Sequence, residues 1–318
     1  MTSSSTILRL GTRASLLART QSGIVAADLE RAHPGLRVEL VFFKTSGDVI
    51  TEKPLHEFGG KGLFTKELEQ ALLDNRVDFA VHSFKDMPTT MPLVSQEGLV
   101  VAAVPKREDP RDLLVAKRAM TIADLPPRAK VGTGSLRRRC QLLHARPDLQ
   151  IEPIRGNIDT RLRKQREGEF DAIVLALAGV RRTNLFDEST MAPIADSILL
   201  SAPGQGALAL QCRRDDQKTG DFLAALNDPI TAACAEAERA LVALLQGDCL
   251  SPIAALAEVT GDRLTLRAAV GARGGNTPVL LAGGNASSDR PGDAAAQAFA
   301  SLAAQGVMER LHGTGNAG

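Results

Sequence analysis

Short apolar runs alternate with helix patterns twice along the first half of this chain, and such an alternation admits few folds other than a layered α/β one. The first series reads strand Ile7–Gly11, helix Ala14–Arg31, strand Arg37–Lys44, helix Gly62–Asp74 and strand Phe79–Ser83. The second reads strand Lys130–Gly134, helix Ser135–Ala145, strand Leu149–Arg155, helix Ile158–Arg166 and strand Ala172–Leu177. Two similar α/β units are therefore expected. Gly204–Cys212 reads as a further strand after a glycine turn, through which the chain can return to the first unit. From Asp221 the pattern becomes helix Pro229–Gln246, strands Ala254–Val259, Arg263–Val270 and Pro278–Ala282, and an alanine-rich helix Asp293–Leu311, an α+β module. Gly283–Asp289 has the composition of a surface loop, and Gly313–Gly318 that of a frayed tail. The expected division is 1–104 with 204–220, then 105–203, then 221–318.

Composition narrows the function classes. With 44% hydrophobic and 24% charged residues over 318 positions, the chain suits a globular protein of two or three domains. Phe occurs 10 times and Tyr and Trp not at all, so the core is aliphatic and platforms for stacking bases are scarce. A formal net charge of +1 also argues against a nucleic-acid partner, which calls for an extended basic stripe. No run of about 18 apolar residues could cross a bilayer, and Met1–Arg9 lacks the apolar core of a signal peptide. A cytoplasmic protein with no membrane partner is expected. Cys140, Cys212, Cys234 and Cys249 lack CxxC spacing, which argues against a metal site and a disulfide framework.

Against that near-neutral total, ten arginines fall between Val131 and Arg182. Several stand where strand-like runs give way to glycine turns and helix starts, as in Val131-Gly-Thr-Gly-Ser-Leu-Arg-Arg-Arg139 and Ile154-Arg-Gly-Asn-Ile-Asp-Thr-Arg161. Guanidinium forks beside free backbone N–H groups make a site for carboxylates or phosphates. Arg163 and Arg166 suit a solvated helix face equally well. In two facing α/β units, such a site belongs in the cleft outside the carboxyl ends of the strands.

Phe79-Ala-Val-His-Ser-Phe-Lys-Asp-Met-Pro88 turns polar where a strand should end. Asp86 at that mouth can accept from an N–H donor or stabilise a developing cation, although Asp-Met-Pro also makes a turn. His82 reads as packing or support for neighbours, since no carboxylate partner for it is evident. Gly59-Gly-Lys-Gly-Leu-Phe64 departs from the nucleotide-binding spacings and suits a mobile anion-binding loop. Arg13 and Ser15 repeat the anion-site logic at the first strand-to-helix turn. Cys249 lies in Leu245-Gln-Gly-Asp-Cys-Leu-Ser-Pro252, where an exposed thiol could react or, beside Asp248, stay silent.

Taken together, Leu10-Gly-Thr-Arg-Ala-Ser15, Gly59–Phe64, Val81–Pro88, Arg107-Glu-Asp-Pro-Arg-Asp112, Gly132–Arg138, Arg155-Gly-Asn157, Gly204-Gln-Gly-Ala207 and the cysteine loop resemble, in order, the porphobilinogen deaminase (hydroxymethylbilane synthase) family. The resemblance implies two α/β domains similar to periplasmic binding proteins, a smaller C-terminal α+β domain, and a monomer. It implies head-to-tail joining of four porphobilinogen molecules with release of ammonia, on a dipyrromethane cofactor bound covalently through Cys249. It further implies Asp86 as the catalytic carboxylate, and Ser83, Lys85, Asp86, Ser135, Arg137, Arg138, Arg155 and Gly156 as cofactor contacts. Arg13, Ser15, Lys61, Phe64, Arg155, Arg161 and Arg182 are implied as substrate contacts. Two positions depart from the family's usual pattern: Asp248 stands where bacterial relatives have glycine, and Glu57 where lysine is common. A non-catalytic anion-binding protein shares the two-lobed design but needs no cysteine loop or third domain. A ligand-sensing regulator would need a helix-turn-helix segment, which the sequence lacks.

Overall fold

The computed structural model describes residues 6–44, 65–89, 98–248 and 250–312. The chain opens with β1 (Thr6–Arg13), α1 (Leu16–Ala32) and β2 (Leu36–Phe43), followed by α2 (Lys66–Leu73), β3 (Phe79–Ser83) and β4 (Leu99–Ala103). Ser15, two residues past the first strand, caps the first helix by accepting a hydrogen bond from the Ala18 amide, at 3.4 Å. Val25, Ala26 and Leu29 face inward at helical spacing and pack on Leu8, Leu10 and Phe79. The first four residues of β3 are buried, as expected of a strand covered on both faces.

The next series runs β5 (Asp112–Ala116), β6 (Lys130–Gly132), α3 (Leu136–Ala145), β7 (Gln150–Glu152), α4 (Ile158–Arg166), β8 (Ala172–Ala176), α5 (Leu177–Arg182) and β9 (Met191–Pro193). The chain then returns as β10 (Leu208–Arg213), followed by α6 (Gln217–Ala224) and α7 (Pro229–Leu244). β10 lies between β3 and β4, antiparallel to both, which gives the order β2-β1-β3-β10-β4. The other five-stranded sheet has the order β7-β6-β8-β5-β9, with β5 antiparallel to both neighbours. Each sheet thus carries three parallel strands, one reversed strand and an outer strand, the expected pair of similar α/β units.

A three-stranded antiparallel sheet follows, made of β11 (Ile253–Thr260), β12 (Arg263–Ala272) and β13 (Asn276–Ser287), with α8 (Pro291–Ala304) and α9 (Val307–His312). Leu241, Leu245, Leu264, Leu266, Ala298 and Leu302 form its core. The described chain divides into two compact units, Met1–Glu108 with Ala207–Ala232, and Asp109–Gly206 with Ala233–Gly318. Within the second unit, Cys140 and Leu200 pack with Ala254, Leu256, Ala269 and Val279 of the three-stranded sheet.

The sequence expectation fails in identifiable places. Residues 283–287 continue β13 instead of forming a loop, because Gly283 and Gly284 leave room for the Leu266 and Ala294 carbonyls. The C-terminal helix is two helices, interrupted at Gly306 by its φ of 76°. β7 is shorter than Leu149–Arg155, since the backbone leaves the sheet before Ile154. The tail 313–318 lies outside the described residues.

Candidate functional site

In the first unit, parallel pairing of β1 and β3 matches Leu10 with Phe79 and Gly11 with Ala80. Continuing that register brings Arg13 beside His82, so Arg13, Ser15 and the 83–86 segment gather at the carboxyl ends of two neighbouring strands. Ser83 exchanges hydrogen bonds with the buried Gln21 at 3.1 and 3.3 Å. Residues Phe84–Asp86 form one 3₁₀ turn. That turn is held by the Phe84 amide donating to the Ala207 carbonyl and the Met87 amide to the Phe84 carbonyl. The turn exposes Asp86, half-buries Lys85 and buries Phe84.

The His82 imidazole is buried, and Nε2 meets Gln211 Oε1 at 3.0 Å. Gln211 Nε2 in turn approaches Glu69 Oε1 at 3.4 Å. Because the Gln211 amide nitrogen faces a carboxylate, its oxygen faces His82, and Nε2 is the protonated ring nitrogen. Burial pushes the His82 pKa down to about 4, against the hydrogen bond to Gln211 and with help from the Arg13 charge. His82 is therefore a neutral, supporting ring, as its sequence context suggested.

In the second unit, β6 ends at Gly132 and the chain turns through Thr133 and Gly134 into α3. Ser135 caps that helix, accepting from the Arg138 amide at 3.4 Å. Arg137 and Arg138 follow in the first helical turn and are buried, unlike ordinary arginines. Arg137 Nη1 donates to Asp112 Oδ2 at 2.7 Å and to the Leu200 carbonyl at 2.6 Å. Arg138 donates from Nε and Nη2 to Asp112 Oδ1 at 3.1 and 2.7 Å, and from Nη1 to the Val174 carbonyl at 2.8 Å. Burial alone would raise the Asp112 carboxyl, but both guanidinium charges and their hydrogen bonds hold it well below the usual range.

Arg155 and Gly156 lie between β7 and α4. Gly156 has φ 110°, and a Cβ there would meet the Thr160 side chain at 2.6 Å, so a side chain at 156 would be strained. The Gly156 carbonyl accepts from Arg161 Nε at 2.7 Å. Burial draws the Arg161 pKa down to about 10, and the charges of Arg138 and Arg155 push it the same way. Three arginines thus feel one another at one end of this sheet. Arg182, at the end of α5, donates from Nη2 to the Gly206 carbonyl at 2.7 Å.

Three buried residues escaped the sequence reading. Besides Asp112, Gln205 donates from Nε2 to the Pro110 carbonyl at 2.6 Å and to Asp112 Oδ1 at 3.0 Å. Glu238 accepts from the Gly204 amide at 2.6 Å and the Ala257 amide at 2.8 Å. The motifs Arg107–Asp112 and Gly204–Ala207 pointed to these segments, yet nothing local pairs their side chains with positions so far along the chain.

Lys61, Phe64 and Cys249 lie outside the described residues, as does Glu57. Around the cysteine, Asp248 Oδ1 accepts from the Leu250 amide at 3.0 Å and the Ser251 hydroxyl at 2.9 Å. This departure from the usual glycine spends its carboxylate on bracing its own loop. A side chain at Gly247 would have to displace Ile253 Cδ1, which occupies the place of a Cβ. A cavity of about 400 Å³ lined by His33, Lys218, Asp221 and Phe222 lies at the other end of α1 from Ser15, roughly 25 Å along its axis, and His33 Nε2 is already engaged with the Phe222 carbonyl at 3.0 Å.

Among the described residues, no group of three or more His, Cys, Asp or Glu side chains could hold a metal, and no helix is long and apolar enough to cross a membrane. Residues 8–221 match the family model "Porphobilinogen deaminase, dipyromethane cofactor binding domain", and residues 232–290 match "Porphobilinogen deaminase, C-terminal domain". The chain is 47% identical over 280 residues to a porphobilinogen deaminase of Roseiflexus sp. (strain RS-1), covering 88% of this chain and 91% of that protein. It is 49% identical over 260 residues to the porphobilinogen deaminase of Syntrophobacter fumaroxidans, covering 82% of each. Likeness to solved structures is distant: a putative methionine-binding lipoprotein of Bacillus subtilis gives a TM-score of 0.44 at 12% identity, covering 70% of this chain and 90% of that one. The periplasmic aliphatic sulphonate binding protein of Escherichia coli gives 0.39 at 19%, covering 76% and 75%. On the family models and these relatives, the chain belongs to the porphobilinogen deaminase family and carries that family's dipyrromethane cofactor binding domain.

Proposed function

We propose that this chain joins four porphobilinogen molecules head to tail into hydroxymethylbilane, releasing ammonia at each coupling, on a dipyrromethane held covalently by Cys249. The observation that carries this reading is the charge imbalance at one end of the second sheet. Arg137 and Arg138 share the buried carboxylate of Asp112, while the charges of Arg138 and Arg155 both reach Arg161. The excess suits a ligand with several carboxylates. Pyrroles bearing acetate and propionate groups have that character, so the donor set fits the cofactor.

Bound dipyrromethane supplies the primer to which each new pyrrole unit is joined. The protein's part is to bind, orient and move protons. Arg137, Arg138, Arg155 and Ser135 hold cofactor carboxylates, with Ser83, Lys85 and Gly156 as further contacts. Arg13, Ser15, Arg161 and Arg182, with Lys61 and Phe64, receive the incoming substrate. Asp86, exposed on its short turn, accepts from ring N–H groups and stabilises positive charge as ammonia departs. The reading also takes the chain as a cytoplasmic monomer of three domains, divided as the three sheets suggest.

Intact-mass spectrometry of wild type, Cys249→Ser and Asp86→Asn tests it. Wild type should carry the mass of a dipyrromethane and give colour with Ehrlich's reagent, and Cys249→Ser should show neither. Asp86→Asn should keep the added mass while turnover falls by at least about two orders of magnitude. An unmodified mass from an active wild-type preparation would overturn the covalent assignment, and near-normal turnover in Asp86→Asn would remove Asp86 from its role.

A further inference from the structure

Arg137 and Arg138 are adjacent in sequence, adjacent in space and both buried, so their like charges oppose each other where solvent cannot screen them. Asp112 is the group that reconciles them. It is 0% exposed, begins β5 in the interior of a five-stranded sheet, and accepts four hydrogen bonds from three side chains. Oδ2 takes Arg137 Nη1, while Oδ1 takes Arg138 Nε and Nη2 and Gln205 Nε2. Each guanidinium is pinned a second time by a backbone carbonyl, Leu200 for Arg137 and Val174 for Arg138. Leu200 is itself clamped by Gln141, which accepts from its amide at 2.9 Å and donates to its carbonyl at 3.1 Å.

Both guanidinium planes are therefore fixed before any ligand arrives. One carboxylate is also the right number: a second would cancel the attraction for an anion, and none would let the two cations turn away from each other. Resting on the reading under Proposed function, we infer that Asp112 is a positioning residue for cofactor binding, orienting Arg137 and Arg138 toward the cofactor's carboxylates, with Gln205 holding Asp112 in turn. Neither residue would touch the cofactor itself. The inference ties Arg107–Asp112 and Gly204–Ala207, two segments about a hundred residues apart, to one task.

Asp112→Asn keeps the volume but turns an amide NH₂ toward a guanidinium that already donates. The test compares wild type, Asp112→Asn, Gln205→Leu and Leu142→Ala, the last a core variant on the same helix that lowers stability while keeping every group that hydrogen-bonds to the pair. For each, intact mass gives the fraction carrying dipyrromethane and the rate of loading after porphobilinogen is added, circular dichroism gives the thermal midpoint, and steady-state kinetics on loaded protein separates KM from kcat. Asp112→Asn should load on the order of tenfold more slowly or less completely, the scale known for residues that orient metal ligands, and the loaded fraction should show a raised KM. Leu142→Ala, at a comparable midpoint, should load like wild type.

Wild-type loading by Asp112→Asn overturns the inference while leaving the proposed function standing. Equal loss of loading in Leu142→Ala also overturns it, since stability alone would then explain the defect. Should Asp112→Asn fail to fold, Gln205→Leu decides: slower loading supports the inference, and unchanged loading and KM overturn it. A wild-type protein with no cofactor mass overturns the proposed function and this inference together.

Discussion

The fold keeps the His82 ring neutral down to about pH 4, whereas an ordinary histidine charges near 6.5. Between those values the unfolded chain binds the proton and the native chain does not, so stability falls as pH falls through the window and levels off below it. The full loss is about 3 kcal/mol. Urea unfolding at pH 7 and pH 4.5 should show most of that difference, and His82→Gln should flatten it; an unchanged slope in that variant would contradict the buried neutral ring. Asp112 acts in a lower range, its contribution being present above the usual carboxylate pKa and lost as pH falls below it. At this scale the sequence exposed the chemistry-bearing residues better than their supports. Asp109 and Asp112 look alike in Arg107–Asp112, yet Asp109 pairs with Arg111 two residues away at 2.7 Å, and Asp112 pairs with arginines twenty-five and twenty-six residues on. Local spacing exposes the first kind of pair and hides the second.

Strands and helices followed their periodicity where one face is apolar and one polar, as in α4, whose expected bounds Ile158–Arg166 match the structure. They escaped it where tertiary packing overrode composition. Gly283 and Gly284 look like turn residues, but β13 uses their bareness to pass beneath α8, where the Ala294 carbonyl takes the place of a side chain at 284. Gly284→Ala should therefore cost about 1–3 kcal/mol through overpacking. Gly220→Ala, in α6 with open space around it, should instead stabilise by roughly 0.5–1 kcal/mol. Thermal unfolding of the two variants separates these outcomes, and a neutral Gly284→Ala would show that α8 can step aside. The short strands β5 and β9 gave weaker signals, because three to five apolar residues cannot be told from a buried helix turn by period alone.

Across the molecule, two five-stranded sheets share one strand arrangement but not one continuity along the chain. All strands of the second lie between Asp112 and Pro193, whereas the first waits for Leu208–Arg213 to fill the gap between β3 and β4. The return of the chain was legible in the glycine turn before that strand, although its position inside the sheet was not, since pairing over such a separation leaves no local trace. A fragment ending at Glu108 should accordingly lack the amide-exchange protection that β1 and β3 have in the whole protein, and adding 207–232 as a separate peptide should restore part of it. Full protection in the short fragment would mean that β10 is dispensable. On the ribosome the same gap becomes a delay: at 5–20 residues per second, roughly ten seconds pass between synthesis of β4 and of its missing neighbour. Throughout that interval the nascent chain presents two unsatisfied sheet edges, while the segment made later can already close upon itself, so the order of maturation runs opposite to the order of translation.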